Sequence, residues 1–209
     1  MNRLVLLLLL LLASACNNSR ALKLPEIEKA KITEVLDVSP AYIFYDETKP
    51  DSVELNRKNL ISTTNWLVNV DKRLKLSQAI PKITYIQTKK RNAKMHKNEA
   101  AKNYYTCNDV SIKNLGFIDF TNIYYHREPV ADYAKTQNIK HYTVIDFYKD
   151  SIVFQGQSVG LKNLAQPDSV KVFAHFEKNM SFQKYIHYKS ELTQLDTGQI
   201  IIDNDEFIY

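Results

Sequence analysis

The chain has 209 residues with 28 basic and 23 acidic side chains, 44% apolar content and only four glycines. That composition builds an ordinary packed core, and a net charge of +5 makes no case for nucleic acid as a partner. Gly116, Gly156, Gly160 and Gly198 cannot form a G-x-G-x-x-G or Walker loop, and no C-x-x-C, H-E-x-x-H, EF-hand or G-x-S-x-G spacing occurs; no phosphate cradle, familiar metal site or cofactor is expected.

Met1–Ala15 reads as a secretory leader: Arg3, then an apolar run from Leu4 to Ala13, then small residues. The run is shorter than the roughly 20 residues that a membrane-spanning helix needs. Two cleavage readings stand side by side. Ala13-Ser14-Ala15 is an A-x-A site for ordinary secretion, and together with Cys16 it resembles a bacterial lipobox, in which Cys16 is acylated and becomes the first residue. Several acyl chains hold a protein stably to a bilayer. The lipobox therefore implies a periplasm-facing envelope protein, at the outer membrane rather than the inner. With Cys16 spent on lipid, Cys107 stands alone, so no internal disulfide forms and burial as a small apolar residue is expected.

Residues 16–31 read as a tether, with Leu24-Pro25 stopping any early helix. Residues 32–97 form a first α+β unit. Its expected elements are strands at Ile32–Val38 and Ala41–Tyr45 broken by Ser39-Pro40, a turn at Thr48–Ser52, and a helix beginning within Val53–Thr64. A buried strand, Trp66–Val70, follows. A long helix then runs from Leu76 to about Met95, with Pro81 in its first turn or kinking it. The helix ends in the strongest cationic run of the chain, Lys89, Lys90, Arg91, Lys94 and Lys97. This is either a solvated helix end, favoured by the dipole, or a patch for anionic lipid or cell-wall polymer.

Residues 98–137 read as an insertion of loops and one or two strands, carrying Asn103–Asp109 and an aromatic stretch, Phe117–Tyr125. His126 and Glu128 can share a face, and with Cys107 nearby they would make a nucleophile and base. Residues 138–209 form the second unit. A hairpin of His141–Phe147 and Ile152–Gln157 leads to a short helix start at Val159–Leu164 and a buried strand, Val170–Phe176. Ser181 caps a helix over Phe182–Leu195, Gly198 stops it, and Gln199–Ile202 with Glu206–Tyr209 makes a last strand or hairpin. His175 is expected as a satisfied sheet-face polar residue, and His141 and Asp146 point to opposite faces.

One stretch recurs in pattern, by duplication or by the chance recurrence that small α/β domains allow. Trp66–Ile80 and Val172–Ile186 align without a gap and share only Lys72/Lys178 and Ile80/Ile186, yet their patterns agree. Each has three apolar residues, a polar one (Asn69, His175), an apolar one, an acid and a lysine, then apolar residues at matched positions. This is a buried strand, a charged turn and an amphipathic helix start. The fold class expected is therefore α+β, with two related β-α-β units around a connecting insertion.

The second unit also resembles a known family. Asp150–Phe154, Val159-x-Leu161-x-Asn163-Leu164 and the run Val170–Ile186 are similar to the periplasmic domain of the ExbD/TolR family. The first unit shares Val53-x-Leu55, Leu60 and Val70-Asp71-Lys72, and Leu24-Pro25-Glu26 is similar to the Leu-Pro that follows the family's membrane helix. That helix and its proton-handling aspartate have no counterpart in this sequence. What the resemblance implies is the envelope domain and not the ion-driven motor: dimerisation, and contacts with cell wall or partner proteins. The functional expectation is a non-catalytic binding or scaffolding module anchored by lipid to a membrane. Its partner would be an envelope protein or peptidoglycan, and a homodimer is allowed. The alternative is an envelope enzyme or ligand-binding lipoprotein acting on cell-wall glycan or peptide, with its site in residues 98–137.

Overall fold

The structure, a computed structural model, describes residues 21–93, 98–168, 170–195 and 199–209. The leader with Cys16, and Lys94, His96, Lys97 and Gly198, lie outside the described residues.

The first sheet is made by β1 (Glu26–Ile27), β2 (Val38–Tyr45), β3 (Val53–Asn56), β4 (Asn65–Val70), β5 (Asn103–Asp109) and β6 (Asn114–Asp119), with helix α1 (Leu76–Arg91) between β4 and β5. β2, β4 and β5 are parallel, while β3 and β6 close the two sides antiparallel. β1 adds to β5 at Asn108 and Asp109, beyond the point where β4 pairs with it. The second sheet holds β7 (Tyr124–His126), β8 (Tyr142–Phe147), β9 (Ile152–Phe154), β10 (Gln157–Ser158), β11 (Lys171–Phe176) and β12 (Ile202–Ile208). Helix α2 (Val130–Thr136) precedes β8, and α3 (Phe182–Gln194) links β11 to β12. The protein is thus α+β, with two mixed sheets, 12 strands and 3 helices among the described residues. The two units share one plan. A hairpin (β2/β3, β8/β9) leads to a parallel central strand (β4, β11), a helix (α1, α3) and a third parallel strand (β5, β12).

The strands form because alternate residues are apolar. Trp66, Val68 and Val70 are buried on one face of β4, as are Val172, Ala174 and Phe176 on β11, and the helices lie over these inner faces. The inner faces and both long helices share one continuous core. A small second cluster lies on the outer face of the second sheet, where α2 lays Val130 and Tyr133 over Phe173 and Phe207.

Several expectations are corrected. Residues 98–137 are not a separate insertion: β5 is the third parallel strand of the first sheet and β6 its edge, whereas β7 joins the second sheet and α2 packs on that sheet's outer face. Residues 21–31 are not a free tether, since Ile27 is buried and β1 is paired. Ser39-Pro40 lies inside β2, tolerated because only β4 pairs with the chain there and the pairing of β2 with β3 starts at Tyr42. No strand forms over 32–37, and Val53–Thr64 carries β3 and turns in place of a helix. Pro81 sits in the second turn of α1, leaving the Ser77 carbonyl without its helical donor. The C-terminal residues form the single strand β12, parallel to β11.

The units meet at the stretch whose pattern recurs. Lys75 and Ser181, equivalent by that alignment, form an antiparallel bridge. Around it every main-chain bond has its mate. The Leu76 amide donates to the Met180 carbonyl at 2.9 Å, and the Phe182 amide to the Leu74 carbonyl at 2.7 Å. The Ser77 amide donates to Lys178 at 2.9 Å, and the Gln183 amide to Lys72 at 3.1 Å. Four of the first amides of α1 and α3, groups that a helix start leaves without partners, are satisfied by the other unit. Residue i contacting j while j contacts i is the signature of a two-fold dimer interface; here it occurs within one chain.

Candidate functional site

The cationic run at the end of α1 does not form one solvated patch. Lys89 is exposed, but Lys90 continues the inward stripe of Ile83, Ile86 and Gln87 and is only 7% exposed. Its ammonium lies 4.7 Å from the centre of the Trp66 ring and donates to the carbonyls of Thr64 (3.2 Å) and Lys102 (3.1 Å) and to Asn103 Oδ1 (3.0 Å). Burial lowers its pKa to about 8. Arg91 is half-buried over Tyr124 and donates to the carbonyls of Thr121 (3.0 Å) and Ile123 (2.8 Å). The helical period, which turns neighbours of a run to different faces, divides what reads as one charge block. Among the described members, Lys90 is removed from any surface for anions and Arg91 is partly spent on the β6–β7 loop.

The proposed nucleophile and base are not brought together. Cys107 lies inside the main core on β5, and burial, with Asp109 nearby, pushes its thiol well above its ordinary range. A reactive thiolate needs the opposite surroundings. His126 stands on the outer face of the second sheet, stacked 5.0 Å from Phe207. Its Nε2 is 2.6 Å from Asp205 Oδ1 and its Nδ1 is 3.4 Å from Glu128, while the Tyr133 hydroxyl donates to the other Asp205 oxygen at 2.8 Å. His126 and Glu128 do share a face, and the partner that orients the imidazole is Asp205, far along the chain. His175, as expected of a satisfied polar residue, pairs with Asp146 on the next strand at 2.8 Å and stacks on Tyr209 at 4.0 Å.

A buried polar chain escaped the sequence reading. The hydroxyls of Tyr105 and Tyr125 are 2.6 Å apart, those of Tyr125 and Tyr185 are 3.2 Å apart, and Tyr185 donates to Glu206 Oε2 at 2.7 Å. Lys189 donates to Glu206 Oε1 and closes the chain. Burial, reinforced by the Glu206 charge, raises all three phenols above their ordinary value. The only local signal is Tyr185 and Lys189, one helical turn apart on α3. The chain ties β5 to β7, α3 and β12, so it joins the units; every member finds its partner inside the fold.

Beside the join lies an open cavity of about 230 Å³. Leu76, Ile80 and Pro81 of α1 and Ile208 of β12 supply its apolar wall, and the exposed side chains of Arg127 and Lys178 stand over it. No cluster of three or more His, Cys, Asp or Glu side chains able to hold a metal occurs among the described residues. Comparison with protein-family models, with curated proteins and with solved structures finds no match to this chain.

Proposed function

We propose that this chain is a non-catalytic binding or scaffolding module, held at the periplasmic face of the cell envelope by acylated Cys16. One observation carries the reading. Two units of similar plan are joined by reciprocal main-chain bonds about Lys75 and Ser181, so a single chain presents a body like the one that a family of dimeric envelope domains would present as two. The resemblance to the ExbD/TolR periplasmic domain points the same way. The tyrosine–glutamate–lysine chain supports it as well, because such a satisfied network rigidifies a body. A rigid body with two similar halves suits contact with a protein or polymer partner.

The test is to label growing cells with a fatty-acid analogue and to cross-link envelope complexes. The wild type is expected to carry label and to capture a partner, and Cys16→Ser to lose both. A soluble, unlabelled product that keeps Met1 defeats the proposal. A second reading, an enzyme acting on cell-wall glycan or peptide, has one observation in its favour: His126 bonded to Asp205 and flanked by Glu128. Turnover of a cell-wall substrate that disappears in His126→Gln would favour it.

A further inference from the structure

The join is two-fold in its main chain. Beside it the Lys72 amide donates to the Lys23 carbonyl at 2.8 Å as the Lys178 amide does to the Tyr209 carbonyl at 3.2 Å. Tyr209 thus closes one end of the cavity, and the two flanks differ beyond that point. On the α3 side the arm Lys23–Lys29 runs along the helix. The Glu26 amide donates to Gln183 Oε1 and the Gln183 side-chain amide donates back to the Glu26 carbonyl, both at 2.9 Å. The Glu26 carboxylate accepts from Lys72 Nζ at 2.6 Å, and Ile27 is buried behind it. The two-fold relation carries Gln183 to Ser77, Ile186 to Ile80 and Lys72 to Lys178, all three of which line the 230 Å³ cavity. Lys72 and Lys178 are one of the two identities between the copies. Lys72 has its carboxylate; among the described residues neither Lys178 nor Arg127 is paired with one.

We propose that this cavity is a docking site for an extended acidic–aliphatic segment of a partner protein. The segment would lie on α1 as Pro25-Glu26-Ile27 lies on α3, its carboxylate against Lys178 and Arg127, its aliphatic side chain on Leu76, Ile80 and Ile208. The cavity is smaller than the ~300–1,000 Å³ of small-molecule sites, which favours one or two side chains of a peptide over a whole ligand. Recognition of an extended segment by a charge and an alternate side chain is an established mode of peptide binding. The inference rests on the binding-module reading and names the chemistry of its partner.

The experiment is a fluorescence-anisotropy titration of the full chain in detergent micelles with a labelled peptide of residues 23–29, Lys-Leu-Pro-Glu-Ile-Glu-Lys. Saturable binding is expected. Lys178→Glu with Arg127→Glu should weaken it roughly 5- to 10-fold, the scale for exposed charge pairs reversed in sign, and a peptide with lysine in place of its first glutamate should regain affinity for that variant. Both substituted residues are exposed, and circular dichroism checks that the variant is folded. Equal binding by the variant, or by a peptide with glutamine and asparagine in place of glutamate and isoleucine, overturns the proposal. Binding that depends on Lys72 in place of Lys178 also overturns it, because the peptide would then be displacing the arm. So does self-association that Lys178→Glu abolishes, which would make the occupant a second copy. Failure of Cys16 acylation sinks the envelope reading but leaves this titration unchanged, so the two failures are separable.

Discussion

Replacing Lys189 by methionine tests whether the buried polar chain holds the two units together. Glu206 is 1% exposed, and its two oxygens are engaged by Tyr185 and Lys189. The substitution keeps the aliphatic bulk of the side chain but leaves a carboxylate inside the core with one neutral donor. Removing one partner of a buried ion pair costs about 3–5 kcal/mol, a large part of the roughly 5–15 kcal/mol by which a domain is stable. With a urea slope of about 2–3 kcal/mol per molar, the unfolding midpoint should fall by roughly 1–2 M. Glu206→Gln should cost less, about 1–3 kcal/mol, because it keeps the Tyr185 contact and Lys189, being 15% exposed, lies nearer water. The double variant should be far less destabilised than the sum of the singles, since each single leaves a partner stranded. Denaturation of all four proteins, followed by tryptophan fluorescence from Trp66 and by circular dichroism, completes the cycle. A Lys189→Met cost below about 1 kcal/mol, or strict additivity in the double variant, would refute the assignment.

Three further outcomes are expected. Lys90 is held to a pKa of about 8 by burial, so between that pH and its ordinary value near 10.5 this side chain adds stability as pH rises, whereas the raised phenols of Tyr105, Tyr125 and Tyr185 act in the opposite sense once the unfolded tyrosines ionise near pH 10. The wild type should therefore gain stability relative to Lys90→Met between about pH 7.5 and 9.5. The arm is clamped by two carboxylates, Asp71 on the Lys23 amide and Asp109 on the Ala30 amide. Burial opposes their ionisation, but Arg73 and local amides for Asp71, and Ser111 and local amides for Asp109, outweigh it and hold both below the usual range. Their contribution is complete above about pH 4 and is lost as pH falls through the lowered values, so hydrogen-exchange protection of Asn108 and Val110, bonded to the arm at Pro25 and Ile27, should fall in acid before that of the core strands. A Cβ at Gly116 would meet the Ala30 Cβ at 2.5 Å and Ile27 Cδ1 at 3.0 Å; Gly116→Ala should cost about 1–3 kcal/mol and expose the arm to proteolysis, while unchanged cleavage would show that the arm can shift freely.

Much of each unit was legible because it is written locally. Trp66–Val70 and Val170–Phe176 show apolar runs of strand length, and the helices after them switch to the 3.6-residue period. Both patterns reflect a face that must be buried whatever covers it. Ser181 as cap and the β8/β9 hairpin belong to the same class: the Ser181 hydroxyl accepts from the Lys184 amide at 3.3 Å. Val53–Thr64 was misread because its apolar residues suit either period, and β3 exists only because β2 offers it an edge. Asn103–Asp109 looked foreign to the repeat because its match to β12 lies in strand order and not in letters. For the candidate site, the paired lysines Lys72 and Lys178 were visible, but nothing near them in the chain says that one has a carboxylate and the other does not.

By itself, then, the sequence determined the strand, charged turn and helix start of each unit and the burial of alternate residues, since these depend on neighbours within a few positions. Only the tertiary structure decided that the two units exchange bonds between their amides and carbonyls across Lys75 and Ser181, that Lys90 points inward at Trp66, and that one flank of the join is covered by the arm while the other, closed at Tyr209, keeps a cavity. The reason is range. Periodicity records that a surface needs covering, whereas the identity of the cover is a contact between residues far apart in the chain, which no local pattern carries.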